Sequence, residues 1–120
     1  MRRATAFAFD ALLLLAFAWG GLRNHEESST FVDVLTTALP FIVGLMLAWV
    51  VATVRGFDVF TYQFGLFAWG ATLFFGMPLR SLLGDGTALS FVLVAAAVIG
   101  LLLVGWRVIR GILTPGHLRR

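Results

Sequence analysis

Four apolar runs, at about residues 4–22, 31–54, 59–79 and 87–106, decide what this chain can fold into. Each spans 19–24 residues. A helix rising about 1.5 Å per residue needs about 20 such residues to cross a hydrocarbon core of roughly 30 Å. Barrel strands alternate polar and apolar residues, and these runs do not. Helices also close their own backbone hydrogen bonds, which lipid cannot do for them. The expected fold is an all-α membrane protein. Residues 1–120 form a single integral-membrane domain of four transmembrane helices in an up-down bundle.

Composition agrees. Sixty per cent of the residues are apolar and 12% are charged, against about 45–50% and about 25% in soluble domains. A soluble core of this size could not bury that much apolar surface. The absence of cysteine excludes a disulfide framework, a thiolate nucleophile and a cysteine metal site. All nine basic side chains are arginines, and they sit in ones and twos at the borders of the apolar runs. That pattern does not make the continuous basic stripe that binds nucleic acid. The expected partner is the lipid bilayer, with no nucleic acid.

Polar residues punctuate the runs. Residues 23–30 form the longest polar stretch, Arg55-Gly56-Phe57-Asp58 a tight turn, and residues 80–86 a loop closed by Gly84-Asp85-Gly86 with Thr87 as the expected N-cap. Pro40 lies inside the second run, where a kink is expected. With the amino terminus inside, Arg2, Arg3, Arg55, Arg107, Arg110, Arg119 and Arg120 face the cytoplasm and only Arg23 and Arg80 face out. Seven against two is a clear positive-inside bias, so both termini are expected in the cytoplasm, in the plasma membrane of a prokaryote. Arg2-Arg3 and Ala16-Phe17-Ala18 imitate a secretory signal, but Asp10 interrupts the apolar stretch, which then continues to Leu22. The first run is therefore expected to be kept as a span. Phe17-Ala18-Trp19-Gly20 recurs as Phe67-Ala68-Trp69-Gly70. In this composition, chance is a sufficient cause.

Asp10 is the most informative residue. It lies roughly 9 Å below the cytoplasmic edge of the first span, where an unpaired carboxylate costs about 2.5–3.5 kcal/mol. It must face the bundle interior, and depth limits its partners to Arg107, the first choice, and Arg55, either reaching inward from a span end. A proton or ion relay and an ion pair pinning the first helix to the fourth are the two roles open to it. A lone buried acid favours the pair. Arg23, His25, Glu26, Glu27, Asp33, Arg80 and Asp85 fall on the outer face, where they can form a polar lid with His25 as its pH-sensitive member. Arg80 is expected to pair with Asp33, Asp85 or Glu26 and not with Asp10. His25-Glu26-Glu27 makes a poor metal site, because consecutive loop residues rarely converge. No catalytic set, metal centre or cofactor motif stands out.

Tyr62, Trp19 and Trp106 fit interfacial belts. Ala68-Thr72-Gly76, Gly44-Ala48 and Ala96-Gly100 repeat small residues at four-residue spacing and mark close helix contacts.

Several signposts resemble a domain-of-unknown-function family. They are Asp10, Gly21-x-Arg23-x-His25, Ala38-x-Pro40-Phe41 with Gly44, Leu79-Arg80 followed by Gly86-Thr87-Ala88, and Gly105-Trp106-Arg107. The family's members are short four-span prokaryotic membrane proteins, common in actinobacteria. The resemblance implies the architecture and no activity. Two functions are then open: a small oligomeric transporter or channel-type protein, and a non-catalytic accessory, assembly or anchor subunit bound to its own copies or to another membrane protein. An enzyme is not expected.

Overall fold

The computed structural model describes residues 2–24, 30–84 and 88–114, with 22–24 described by their backbone. Four helices occupy them: α1 (Arg3–Asn24), α2 (Phe31–Arg55), α3 (Tyr62–Leu82) and α4 (Leu89–Leu113). No strand occurs among the described residues. The termini of α2 show why the chain turns where it does. Thr30 and Asp33 form a capping box at its start, each side chain taking up a backbone N–H of the other. Gly56 ends it with φ +74, a left-handed geometry that residues with a Cβ rarely adopt. Thr61 caps α3 by accepting from the Phe64 amide.

Several boundaries move from the sequence expectation. α1 continues through Arg23 and Asn24. Val59 and Phe60 belong to the turn before α3, and Arg80 lies in that helix's last turn. Ala88 is the N-cap of α4 and gives no side-chain bond, while Thr87 falls outside the described residues. α4 also runs on to Leu113, so Arg107 and Arg110 are helical residues rather than flanking ones. α2 passes unbroken through the buried Pro40.

Every neighbouring pair of helices is antiparallel, because early residues of one meet late residues of the next. Phe7 packs on Trp49 and Phe17 on Phe41 between α1 and α2. Trp49 packs on Phe64 between α2 and α3, and Gly65 early in α3 lies against the Leu103 carbonyl and Val104 late in α4, the Trp69 indole adding a bond to the Ala96 carbonyl at 2.8 Å. α4 closes the ring against α1 through Asp10 and Arg107. The interior face of each helix is a row at three- to four-residue spacing, the repeat of one helical stripe. On α1 the row is Ala6, Asp10, Leu14 and Ala18, and on α4 it is Ala95, Ile99, Leu103, Arg107 and Gly111. Two charged residues thus sit in register with the core.

The small-residue spacings do mark close contacts, and these lie within the chain. A Cβ on Gly44 would come within 2.7 Å of the Ala71 carbonyl oxygen and 2.8 Å of the Thr72 Cα, so the α2 and α3 backbones touch there. Large apolar side chains cover the outside, among them Leu101, Phe74, Leu12 and Val50. Three helices, α1 over Arg3–Gly21, α2 and α4, are long and apolar enough to cross a membrane. In α3, Gln63, Thr72, Pro78, Arg80 and the glycines dilute the apolar residues.

Candidate functional site

Asp10, Trp49 and Arg107 meet because they lie at one depth. Asp10 is seven residues from the start of α1, Trp49 six from the end of α2, and Arg107 six from the end of α4. At about 1.5 Å per residue each is about 9–10 Å from the same end of the bundle. The guanidinium grips the carboxylate with two parallel bonds, Nη1 to Oδ1 at 2.9 Å and Nη2 to Oδ2 at 2.7 Å. Such bidentate charge-assisted bonds are among the strongest in proteins. Two indoles complete the carboxylate: Trp106 Nε1 donates to Oδ1 at 2.8 Å and Trp49 Nε1 to Oδ2 at 3.1 Å. A carboxylate has about four acceptor sites, so all of Asp10's are filled.

Arg107 is equally enclosed. Its Nε donates to the Val59 carbonyl at 2.8 Å, and its Nη1 also donates to the Leu103 carbonyl one turn back at 2.9 Å. The guanidinium carbon lies 4.5 Å from the Trp106 ring centroid and 5.1 Å from that of Phe64, within cation–π range. Gly65 of α3 leaves the space for it, since a Cβ there would stand 3.1 Å from Arg107 Cδ. Both charged side chains have no exposed surface. One clasp therefore joins all four helices and the α2–α3 turn.

The same turn is held from its other side. Arg3 Nη1 donates to the Phe57 carbonyl at 3.0 Å and Arg110 lies over the Phe60 ring at 4.5 Å. Within the turn, Asp58 accepts from the Phe60 amide.

Of the sequence-selected residues, the structure brings together Asp10 and Arg107. Arg55 stays exposed at the end of α2. The expectation that Arg107 reaches inward from a span end is corrected: it is fixed inside α4, buried on the core stripe. Asp33 turns to its own helix cap. Arg80 packs its guanidinium 4.1 Å from the Phe91 ring centroid, far along the bundle from the Asp10 clasp, as depth required. His25, Glu26, Asp85 and the side chain of Arg23 lie outside the described residues, and with them the polar lid and the His-Glu-Glu idea. Among the described residues no cluster of three His, Cys, Asp or Glu could hold a metal ion.

Sequence reasoning missed Trp49, the Val59 carbonyl and the role of Trp106, which had been placed in an interfacial belt. The signal for Trp49 was present. A tryptophan inside an apolar run brings an N–H that needs an acceptor, and the acid at matching depth was Asp10.

The family model for proteins of unknown function designated DUF3054 matches residues 7–110. The chain belongs to the DUF3054 family. The matched region runs from the first turns of α1 to the end of α4, so both charged members of the clasp in this DUF3054 protein lie inside it. No curated protein and no solved structure matches the chain.

Proposed function

We propose that this DUF3054 protein is a four-span integral protein of a prokaryotic plasma membrane that serves as a non-catalytic accessory or anchor subunit. The observation that carries this reading is the saturated Asp10 carboxylate, which has no exposed surface and four donors on its two oxygens. A relay group must exchange its proton with water or a neighbouring acid. Asp10 offers no acceptor site for that without breaking the clasp. α3 is counted as a span because it packs antiparallel between α2 and α4, and its 21 residues reach about 31 Å at the usual helical rise.

The orientation rests on arginine. With Arg107 moved into the bundle, six arginines remain at the cytoplasmic side against Arg23 and Arg80 at the other. Reporter fusions after residue 120 and between residues 24 and 30 are expected on opposite sides of the membrane. Both on one side would refute the four-span arrangement.

The role is tested in proteoliposomes carrying an internal pH dye. The expected result is a proton leak equal to that of protein-free vesicles under a pH step. A flux above that level, removed by Asp10→Asn, would overturn the accessory reading in favour of transport.

A further inference from the structure

At the arginine-rich end of the bundle, α1 and α2 part to leave a groove of about 490 Å³, within the roughly 300–1,000 Å³ range of small-ligand sites. Its floor is apolar: Phe7, Met46, Val50 and Val54, with Trp49 behind them. Its mouth is polar and positive, formed by Arg3 and Thr53. Arg3 donates Nη1 to the Phe57 carbonyl and Nη2 to Thr53 Oγ1, and lies 5.7 Å from the Trp49 ring centroid. These bonds fix the guanidinium at the mouth while its side chain stays exposed, with other donors of its five left for an anion. The positive end of the 22-residue α1 lies beside it.

Charge at this end is mainly positive. Arg2 and Arg55 are also exposed here, and no acidic residue lines the groove. The exposed acid of this end, Asp58, opens into a separate hollow with Gln63 and Phe67 on the α3 side, and Asp10 lies behind Trp49, closed within the clasp. An open apolar groove ending at a fixed cation in a bilayer-facing surface matches one class of molecule, an anionic amphiphile with its head at the membrane interface.

We propose that this groove binds one anionic phospholipid, its acyl chain along Phe7, Met46, Val50 and Val54 and its phosphate on Arg3. The proposal rests on the membrane placement above and not on the accessory role.

The test is native mass spectrometry of the purified full chain titrated with phosphatidylglycerol or phosphatidylcholine of identical acyl chains. The first phosphatidylglycerol is expected to bind about five-fold more tightly, the worth of one arginine at an anionic surface. Arg3→Gln removes that preference, Arg3→Lys keeps most of it, and Arg2→Gln, which removes the same charge away from the groove, leaves it. Val50→Trp fills the groove from a side chain that is 57% exposed, so the fold is kept, every charge is kept, and retention of phosphatidylglycerol falls. Equal binding of the two lipids by the unmodified chain overturns the proposal. So do equal losses from Arg2→Gln and Arg3→Gln, the mark of diffuse attraction, or unchanged retention in Val50→Trp. Proton flux in liposomes would remove the accessory role and leave these results as they are.

Discussion

Gly44→Ala is expected to destabilise the bundle by about 1–3 kcal/mol, the usual cost of forcing extra volume into a packed interior. The added methyl would meet the Ala71 carbonyl oxygen at 2.7 Å and the Thr72 Cα at 2.8 Å, and both are backbone atoms. No rotamer can relieve that contact, so α2 and α3 must separate. Separation would also disturb Phe41, which packs against Gly76 one turn further along the same seam. Gly44→Leu, with three more carbons at the same point, is expected to prevent assembly of the seam. Gly70→Ala is the control, because nothing lies within 4 Å of its Cβ position. That change should be neutral or stabilising, by at most the glycine-to-alanine helix propensity of about 1 kcal/mol. Unfolding in mixed detergent micelles, followed by circular dichroism, reads both. Equal effects of the two substitutions would show that the α2–α3 contact is not tight.

The helical architecture was legible in the sequence because of the length and apolarity of its runs. Apolar runs of spanning length have few other stable solutions, and Thr30, Gly56 and Thr61 punctuate them as capping chemistry requires. The close contacts were legible too, since small residues at four-residue spacing line up on one face. Gly44 and Gly76 meet their neighbours through that spacing.

The site was half legible. Asp10 had to be inside and paired, and Arg107 was the partner of matching depth. The enclosure of Arg107 was not, because hydropathy ends a span at the first arginine. Here the helix continues for six residues beyond it. The four-residue row Ala95, Ile99, Leu103, Arg107, Gly111 places that arginine on the core stripe, a pattern a hydropathy window averages away. The indole donors escaped for a related reason. Trp106 next to a charged residue reads as an interfacial anchor, and only the packing of α1 against α4 turns its N–H to the Asp10 carboxylate. Of the expected outer polar cluster, only Asp33 and Arg80 have described side chains. Asp33 satisfied its own helix terminus locally, as short polar side chains near an N-cap do.

The central claim is that Asp10 and Arg107 form a structural clasp, and a double-mutant cycle tests it most directly. Arg107→Gln leaves the carboxylate inside the bundle with two indole donors and no counter-charge. Asp10→Asn keeps one carbonyl oxygen for the indoles and leaves the guanidinium unpaired. Each single change is expected to cost about 3–5 kcal/mol, the range for breaking a buried pair from one side. The full range applies because neither side chain has exposed surface from which to regain water. In the double variant the two neutral amides can bond to each other, so the losses should fall short of their sum. The expected coupling lies in the upper half of the range of about 0.5–3 kcal/mol seen for residues in contact. Unfolding of the four proteins in mixed micelles measures it. Two costly single changes with a double variant that costs clearly less than their sum is the predicted result, and a fully stable Asp10→Asn chain with no coupling to Arg107 would contradict it.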